Sequence, residues 1–172
     1  PGPGVRIATE GGWVLTQAVA ALSTAELPVP TRRYVTMRDM NQVPWDNCCG
    51  DDEEGAEEIG GQLVVTVNRV VAYTTFPTPA RLPTDCIAGF AVPVTVELVR
   101  CAPAFTSDGG IPDAATMDAE GFEMLDEGEI LLCHFTNVLQ GRGAHSGVVG
   151  PVVGTVAQGC RSVSLTMTLD LT

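Results

Sequence analysis

From Ser162 to Leu171 the chain alternates without a break. Val163, Leu165, Met167, Leu169 and Leu171 lie on one side, and Ser162, Ser164, Thr166, Thr168 and Asp170 on the other. A period of two sends successive side chains to opposite faces of an extended strand. Such a segment is stable only where its apolar face meets a second layer. The pattern recurs twice. Phe90, Val92, Val94, Val96 and Leu98 form one apolar face opposite Thr95 and Glu97. A long strand from Gln62 to about Phe76 carries Leu63, Val65, Val67 and Val71 on one side and Thr66, Asn68 and Thr74 on the other. One polar face per strand predicts an antiparallel sheet covered on one side only. Shorter strands are predicted over 33–38 and 152–157.

Two segments have the period of a helix instead. Val14, Leu15, Ala18, Val19 and Leu22 recur at three- and four-residue spacing, which predicts a helix over 12–24. Thr9 or the Gly11-Gly12 pair marks its start, and Pro28 and Pro30 end anything helical after it. A second, long helix opens at Pro112, where a proline suits the first turn. It runs through Met117, Met124, Leu125, Leu131, Leu132, Phe135 and Val138 to about Gly141. Gly121 and Gly128 weaken it by about 1 kcal/mol each relative to alanine, and suit the close approach of a strand or a neighbouring subunit. Gly141 to Gly150 reads as a flexible glycine-rich loop.

The predicted fold class is therefore α+β. An antiparallel sheet with an extended hairpin is covered on one face by an N-terminal helix and one long helix. Residues 1–172 read as one domain, with an acidic loop at 50–61 and an arm at 77–88 that carries three prolines. Hydrophobic residues make up 45% and charged residues 17%, which excludes a globally disordered chain. No apolar run reaches the roughly 18 residues a bilayer span requires. The start, Pro1-Gly-Pro-Gly4, lacks a basic region followed by an apolar core, so no signal peptide is expected and the product is expected in the cytosol or assembled there.

The formal net charge is −12, and all nine cationic residues are arginine. The absence of lysine hints at a GC-rich genome. A chain this acidic is not expected to hold nucleic acid over a broad face, because phosphate binding requires clustered positive charge. It is compatible with a lumen through which DNA slides without being gripped. Asp51, Asp52, Glu53, Glu54, Glu57 and Glu58 place six acids within eight residues, a solvated loop by mutual repulsion. A calcium loop needs acids at alternating positions, and these are contiguous.

Residues that carry chemistry are few. Cys133 and His134 are neighbours on the long helix and so face different directions. Cys48 and Cys49 are adjacent, poor geometry for chelating one metal, and no Cys-x-x-Cys pair supports zinc. His145-Ser146 lacks the Gly-x-Ser-x-Gly elbow. The glycine-rich loop at 141–147 follows a helix and lacks the dinucleotide spacing. No cofactor, no metal and no enzymatic activity are expected. The six cysteines read first as buried thiols that behave as small apolar residues, with one or two disulfides as the alternative. Cys101 ends one strand and Cys160 precedes another, so neighbouring strands bring them close, but spacing leaves the pairing open. Trp45 reads as a core or loop anchor, a role compatible with anchoring a subunit interface, where tryptophan is enriched.

Several short motifs follow one another in a fixed order: Trp45-Asp46-x-Cys48-Cys49-Gly50, Gln62-Leu63-x-Val65, Asp85-Cys86-x-Ala88-Gly89, Arg100-Cys101-Ala102-Pro103, the helix at Pro112, and Gly159-Cys160. In order and spacing they resemble the head-to-tail connector and tail-terminator group of tailed actinobacterial phages, over residues 40–172. The acidic insert after Gly50 is a departure, since in that group Gln-Leu follows the glycine almost at once. The resemblance implies a structural virion protein at the head–tail junction, assembled in the bacterial cytoplasm as a homo-hexameric ring. Such a ring caps the tail tube, stops its polymerisation and joins it to the neck. The implied partners are further copies of the chain, the major tail tube protein and a head-completion or neck protein, with genomic DNA passing through the lumen without sequence-specific contact and no membrane involved. An adaptor or stopper of the neck is the alternative level, and a tail-tube subunit or a small acidic ligand-binding module is more remote. Candidate interface or anchor residues are Trp45, Cys48, Cys49, Arg81, Leu82 and Cys86. The acidic loop would face the lumen or solvent.

Overall fold

The structure is a computed structural model that describes residues 3–37, 48–49, 61–67, 69–80, 87–102, 110–142, 147–157 and 159–171. It is an α+β fold in which one seven-stranded sheet carries two helices on one face. In chain order the elements are α1 (Pro3–Thr24), β1 (Arg32–Thr36), β2 (Gln62–Val67), β3 (Val71–Thr75), β4 (Thr78–Pro79), β5 (Gly89–Cys101), α2 (Ala114–Arg142), β6 (Gly147–Ala157) and β7 (Cys160–Asp170).

The long strand β5 organises the sheet. Along one side it pairs with β7 from Ala91↔Asp170 to Cys101↔Cys160 without a slip. Along the other side it pairs first with β3 and then with β2. Beyond β7 lies β6, beyond β2 lies β1, and β4 folds onto β3. The sheet is mixed rather than purely antiparallel, because β1 runs parallel to β2. Parallel neighbours require a long connection, and the stretch between Thr36 and Gln62 supplies the length.

The strand expected from Gln62 to Phe76 is two strands. Val67 pairs with Val94 and Val71 with Ala91, so four steps on the β2–β3 side match three on β5. One extra residue reverses the side on which every later side chain emerges. Leu63, Val65 and Val67 face the helices, whereas Val71 lies on the other face with Ala91, a correction to the expected alternation. The described part of the 77–88 arm does not extend away. Ala80 N–H donates to the Ala72 carbonyl and Ala88 N–H to the Tyr73 carbonyl, so both of its ends lie against β3. The Phe76–Pro77 peptide bond at the turn into β4 is cis.

Helical periodicity holds for both helices, with shifted ends. The first begins earlier, at Pro3. The second begins after Asp113, whose carboxylate accepts from the Thr116 N–H at 2.9 Å and from the Thr116 hydroxyl at 3.2 Å. That N-cap satisfies an otherwise orphaned donor. Val14, Ala18 and Leu22 from α1, and Leu131, Phe135 and Leu139 from α2, meet Leu63, Val65, Val92, Val94, Val96, Leu98, Leu165, Met167 and Leu169 of the sheet in one core. The helices run antiparallel. Arg142 lies over the Trp13 ring at 4.2 Å and pairs with Glu10 at 2.9 Å, Trp13 meets Phe135 edge-on, and His134 bonds to Gln17. At Gly128 the helix lies so close to the sheet that a Cβ would sit 2.6 Å from Val152 Cγ1 and 2.9 Å from Val163 Cγ2. At Gly121 nothing lies within 4 Å, so only Gly128 performs the close-approach role expected of these glycines. The loop expected over 141–150 is partly strand, because β6 begins at Gly147.

The second face of the sheet is closed to water over β2 and β5, although its polar residues predict otherwise, while Val148, Val153 and Thr166 on the same face are exposed. Val64, Thr66, Thr95, Glu97, Val99 and Ser162 are all buried. Polar side chains pair there: Thr95 with Thr166 at 3.0 Å across the β5–β7 register, and the Tyr34 hydroxyl with Gln62 Oε1 at 2.9 Å. Thr66, Thr95 and Ser162 are polar without being solvated, whereas Thr166 is exposed, a difference that strand alternation alone does not distinguish. No helix among the described residues is long and apolar enough to cross a membrane.

Candidate functional site

Chemistry-bearing residues gather at one end of the sheet, where β5 finishes and β7 begins. Cys101 and Cys160 are direct cross-strand partners there. They are not bonded to each other. Cys160 is bonded to Cys48 with an S–S distance of 1.97 Å, and Cys101 to Cys49 at 2.02 Å. The adjacent pair Cys48-Cys49 thus fastens one distant segment to two neighbouring strands at once. Cys48 packs with Cys160 and Val99 in a small buried cluster of its own, while Cys49 is exposed. The expectation of buried free thiols is corrected for these four residues. The physical reason is the register, which sets the two strand ends side by side so that two adjacent sulfurs reach one each. Cys133 is a free, exposed cysteine.

One residue along each strand, the side chains turn to the opposite face and carry charge. Arg100 and Arg161 are cross-strand partners beneath α2. Glu127 of α2 bridges both: Oε1 accepts from Arg100 Nε at 2.9 Å and Oε2 from Arg161 Nη1 at 3.1 Å. Arg161 also meets Glu120 at 2.9 Å and Glu123 at 3.1 Å, and Arg100 donates to the Pro28 carbonyl. Glu120, Glu123 and Glu127 recur at helical spacing, so one face of α2 presents three carboxylates to two guanidiniums. Sequence reasoning missed this network. Its signal was an arginine beside a cysteine in each of two strands, on the face whose other residues are apolar, together with acids spaced along one helix face.

Other titratable groups stand apart. Glu97 is buried on the second face, and desolvation raises its pKa, opposed by a hydrogen bond with Ser162. Burial also raises the Tyr34 pKa, helped by the nearby Glu97 charge and opposed by Arg32. Burial lowers the His134 pKa. Hydrogen bonds from Thr116 lower that of the exposed Asp113. Among the described residues no His, Cys, Asp and Glu side chains are grouped to hold a metal ion. A shallow apolar groove of about 300 Å³ lies between α2 and β6, lined by Met124, Leu125, Leu132, Val152 and Val163 with Glu129 at its edge.

Of the residues singled out from the sequence, Cys48 and Cys49 are placed in the clamp. Trp45, Arg81, Leu82, Cys86 and the acids Asp51, Asp52, Glu53, Glu54, Glu57 and Glu58 lie outside the described residues, as does His145. Compared with known proteins, the sequence matches no family model and no curated protein.

Proposed function

We propose that this chain is a structural virion protein of a tailed phage, a tail terminator that forms a ring on the tail tube, stops its growth and offers a surface to the neck. One observation carries the reading. Three of the motifs behind the resemblance, Cys48-Cys49, Arg100-Cys101 and Gly159-Cys160, are far apart in the chain and meet at one end of the sheet through two disulfides. Their order in the sequence therefore corresponds to one structural unit rather than to scattered coincidences. A covalently fastened sheet with a buried ionic network suits a part that bears load more than one that must open around a substrate. The same features suit an adaptor or stopper of the neck.

Electron microscopy of particles from a phage lacking this gene tests the reading. Overlong, headless tails are the outcome expected of a missing terminator. Tails of normal length beside unjoined or emptied heads would move the protein to the head side of the junction. Normal, infectious particles would remove it from the junction altogether.

A further inference from the structure

The strand register puts the four sulfurs of the clamp where a second pairing is open to them. Cys101 and Cys160 are cross-strand partners, so their side chains leave the sheet on the same face. Ala102 N–H donates to the Gly159 carbonyl at 2.9 Å, which makes the next rung a hydrogen-bonded pair. Rungs alternate along an antiparallel ladder, so Cys101 and Cys160 form a non-hydrogen-bonded pair, the kind whose Cα atoms approach to about 4.5 Å. That spacing lies within the range of about 4.4–6.8 Å that a disulfide bridges. Each of the two instead holds one member of the adjacent pair Cys48-Cys49. The two links also differ in access. Cys49 and Cys101 are both exposed, whereas Cys48 is 4% and Cys160 2% exposed. The Cys48 Sγ lies 3.8 Å from the Cys49 Sγ, so the buried link runs directly beside the exposed one.

We propose that the clamp is a thiol–disulfide switch with two positions. A dithiol from outside attacks the exposed Cys49–Cys101 link. The dithiol is oxidised to its own disulfide, and Cys49 and Cys101 are reduced to thiols. The Cys101 thiol then loses its proton to solvent, and its thiolate attacks the Cys160 Sγ. A Cys101–Cys160 bond forms, the Cys48–Cys160 bond breaks, and Cys48 leaves as a thiolate that takes a proton from solvent. This second step is an exchange with no net change in oxidation. It needs no movement of the strands, because the β5–β7 ladder already holds Cys101 beside its target. The competing product, a link between Cys48 and Cys49, is disfavoured: consecutive Cα atoms are about 3.8 Å apart across a trans peptide, below the range that a disulfide bridges. After the exchange β5 and β7 are joined to each other, and the segment carrying Cys48-Cys49 has lost both of its links to the sheet. A reducing compartment such as a cytosol favours the released position, and an oxidising one the fastened position. The switch goes beyond the virion reading and does not depend on it.

Titration of the full, oxidised chain with one equivalent of dithiothreitol tests this. Acid quenching stops exchange, alkylation marks the free thiols, and peptide mapping by mass spectrometry reads the species that keeps one link among these four cysteines. That species should carry Cys101–Cys160, with Cys48 and Cys49 alkylated. Cys48–Cys160 retained beside alkylated Cys49 and Cys101 would overturn the proposal, since the exposed link then opens without passing on to the buried one. Any other surviving link, or loss of both links with no one-link species, would overturn it too. Cys101→Ser removes the internal nucleophile and gives a second reading. In that variant the Cys48–Cys160 link should outlast the dithiol treatment that exchanges it in the wild type. Equal loss in both chains would mean that the outside thiol reaches the buried link directly, and the switch would fall.

Discussion

Arg100 and Arg161 stand directly opposite each other on neighbouring strands, and one carboxylate, Glu127, bonds to both. Like charges at a cross-strand pair repel, and the arginine side chains are only 9% and 8% exposed. The arrangement holds because Glu127 lies between them, with Glu120 and Glu123 adding charge on the Arg161 side. Removing the bridge leaves two desolvated guanidiniums facing each other. Glu127→Ala is expected to cost about 3–5 kcal/mol, the usual penalty for breaking a buried ion pair. Glu123, whose side chain is 65% exposed, is expected to cost about 0–1 kcal/mol on the same change. Urea unfolding of the two variants checks this, and equal shifts would show that Glu127 is no more than a surface partner.

The cysteine clamp gives a chemical prediction. Intact mass under non-reducing conditions should be lower by the four hydrogens lost in two disulfides, and alkylation without reduction should label Cys133 but none of Cys48, Cys49, Cys101 and Cys160. The Cys48–Cys160 link spans a sequence separation of 112, so it removes substantial freedom from the unfolded chain. Changing Cys48 and Cys49 together to serine is expected to cost about 2–5 kcal/mol. A double variant as stable as the oxidised wild type would mean that the links add nothing to the fold.

The layout of the sheet was legible in the alternation of Val163 to Leu171 and of Phe90 to Leu98, because period-two patterning is a local property of the chain. Val71 was misplaced because a single extra residue between Val67 and Val71 reverses the face, and nothing in the composition of that stretch announces it. The sequence alone assigns Thr66, Thr95 and Ser162 to a solvated face, because polar identity does not reveal that these positions are buried. The clamp was half legible: the approach of Cys101 to Cys160 follows from adjacent strands, but their choice of Cys49 and Cys48 depends on where a distant segment returns. Glu127 was invisible for the same reason, since a helix acid ordinarily reads as solvent-facing until the arginines beneath it are placed.

Gly128 and Gly121 are both interior helix glycines with opposite expected responses to a side chain. Gly121→Ala meets nothing within 4 Å and should stabilise the protein by up to about 1 kcal/mol through helix propensity. Gly128→Ala forces its Cβ into Val152 and Val163, whose strands are fixed by their own ladders. It should destabilise by about 1–3 kcal/mol through overpacking. Thermal unfolding of the two single variants decides the matter, and a stabilising Gly128→Ala would mean that α2 rides higher above the sheet than described.

Glu97 and His134 tilt stability in opposite directions with pH. Burial raises the Glu97 pKa in the fold above its ordinary value of 4.5. The folded state thus holds that proton more tightly than the unfolded chain, so the contribution is fully present below pH 4.5 and is lost as pH rises through the raised value. Glu97→Gln keeps a polar partner for Ser162 and cannot ionise. It should therefore be more stable than the wild type at pH 7, with the difference shrinking as pH falls toward 4. Burial lowers the His134 pKa below its ordinary value of 6.5, so its contribution is present above that value and is lost as pH falls through the depressed one. His134→Gln, placed beside Gln17, should flatten the acid side of the stability profile without moving the neutral side. Urea midpoints for the wild type and both variants at several pH values between 4 and 8 check the two signs together. A Glu97→Gln variant less stable than the wild type at pH 7 would mean that the carboxylate is held ionised by a partner stronger than its burial.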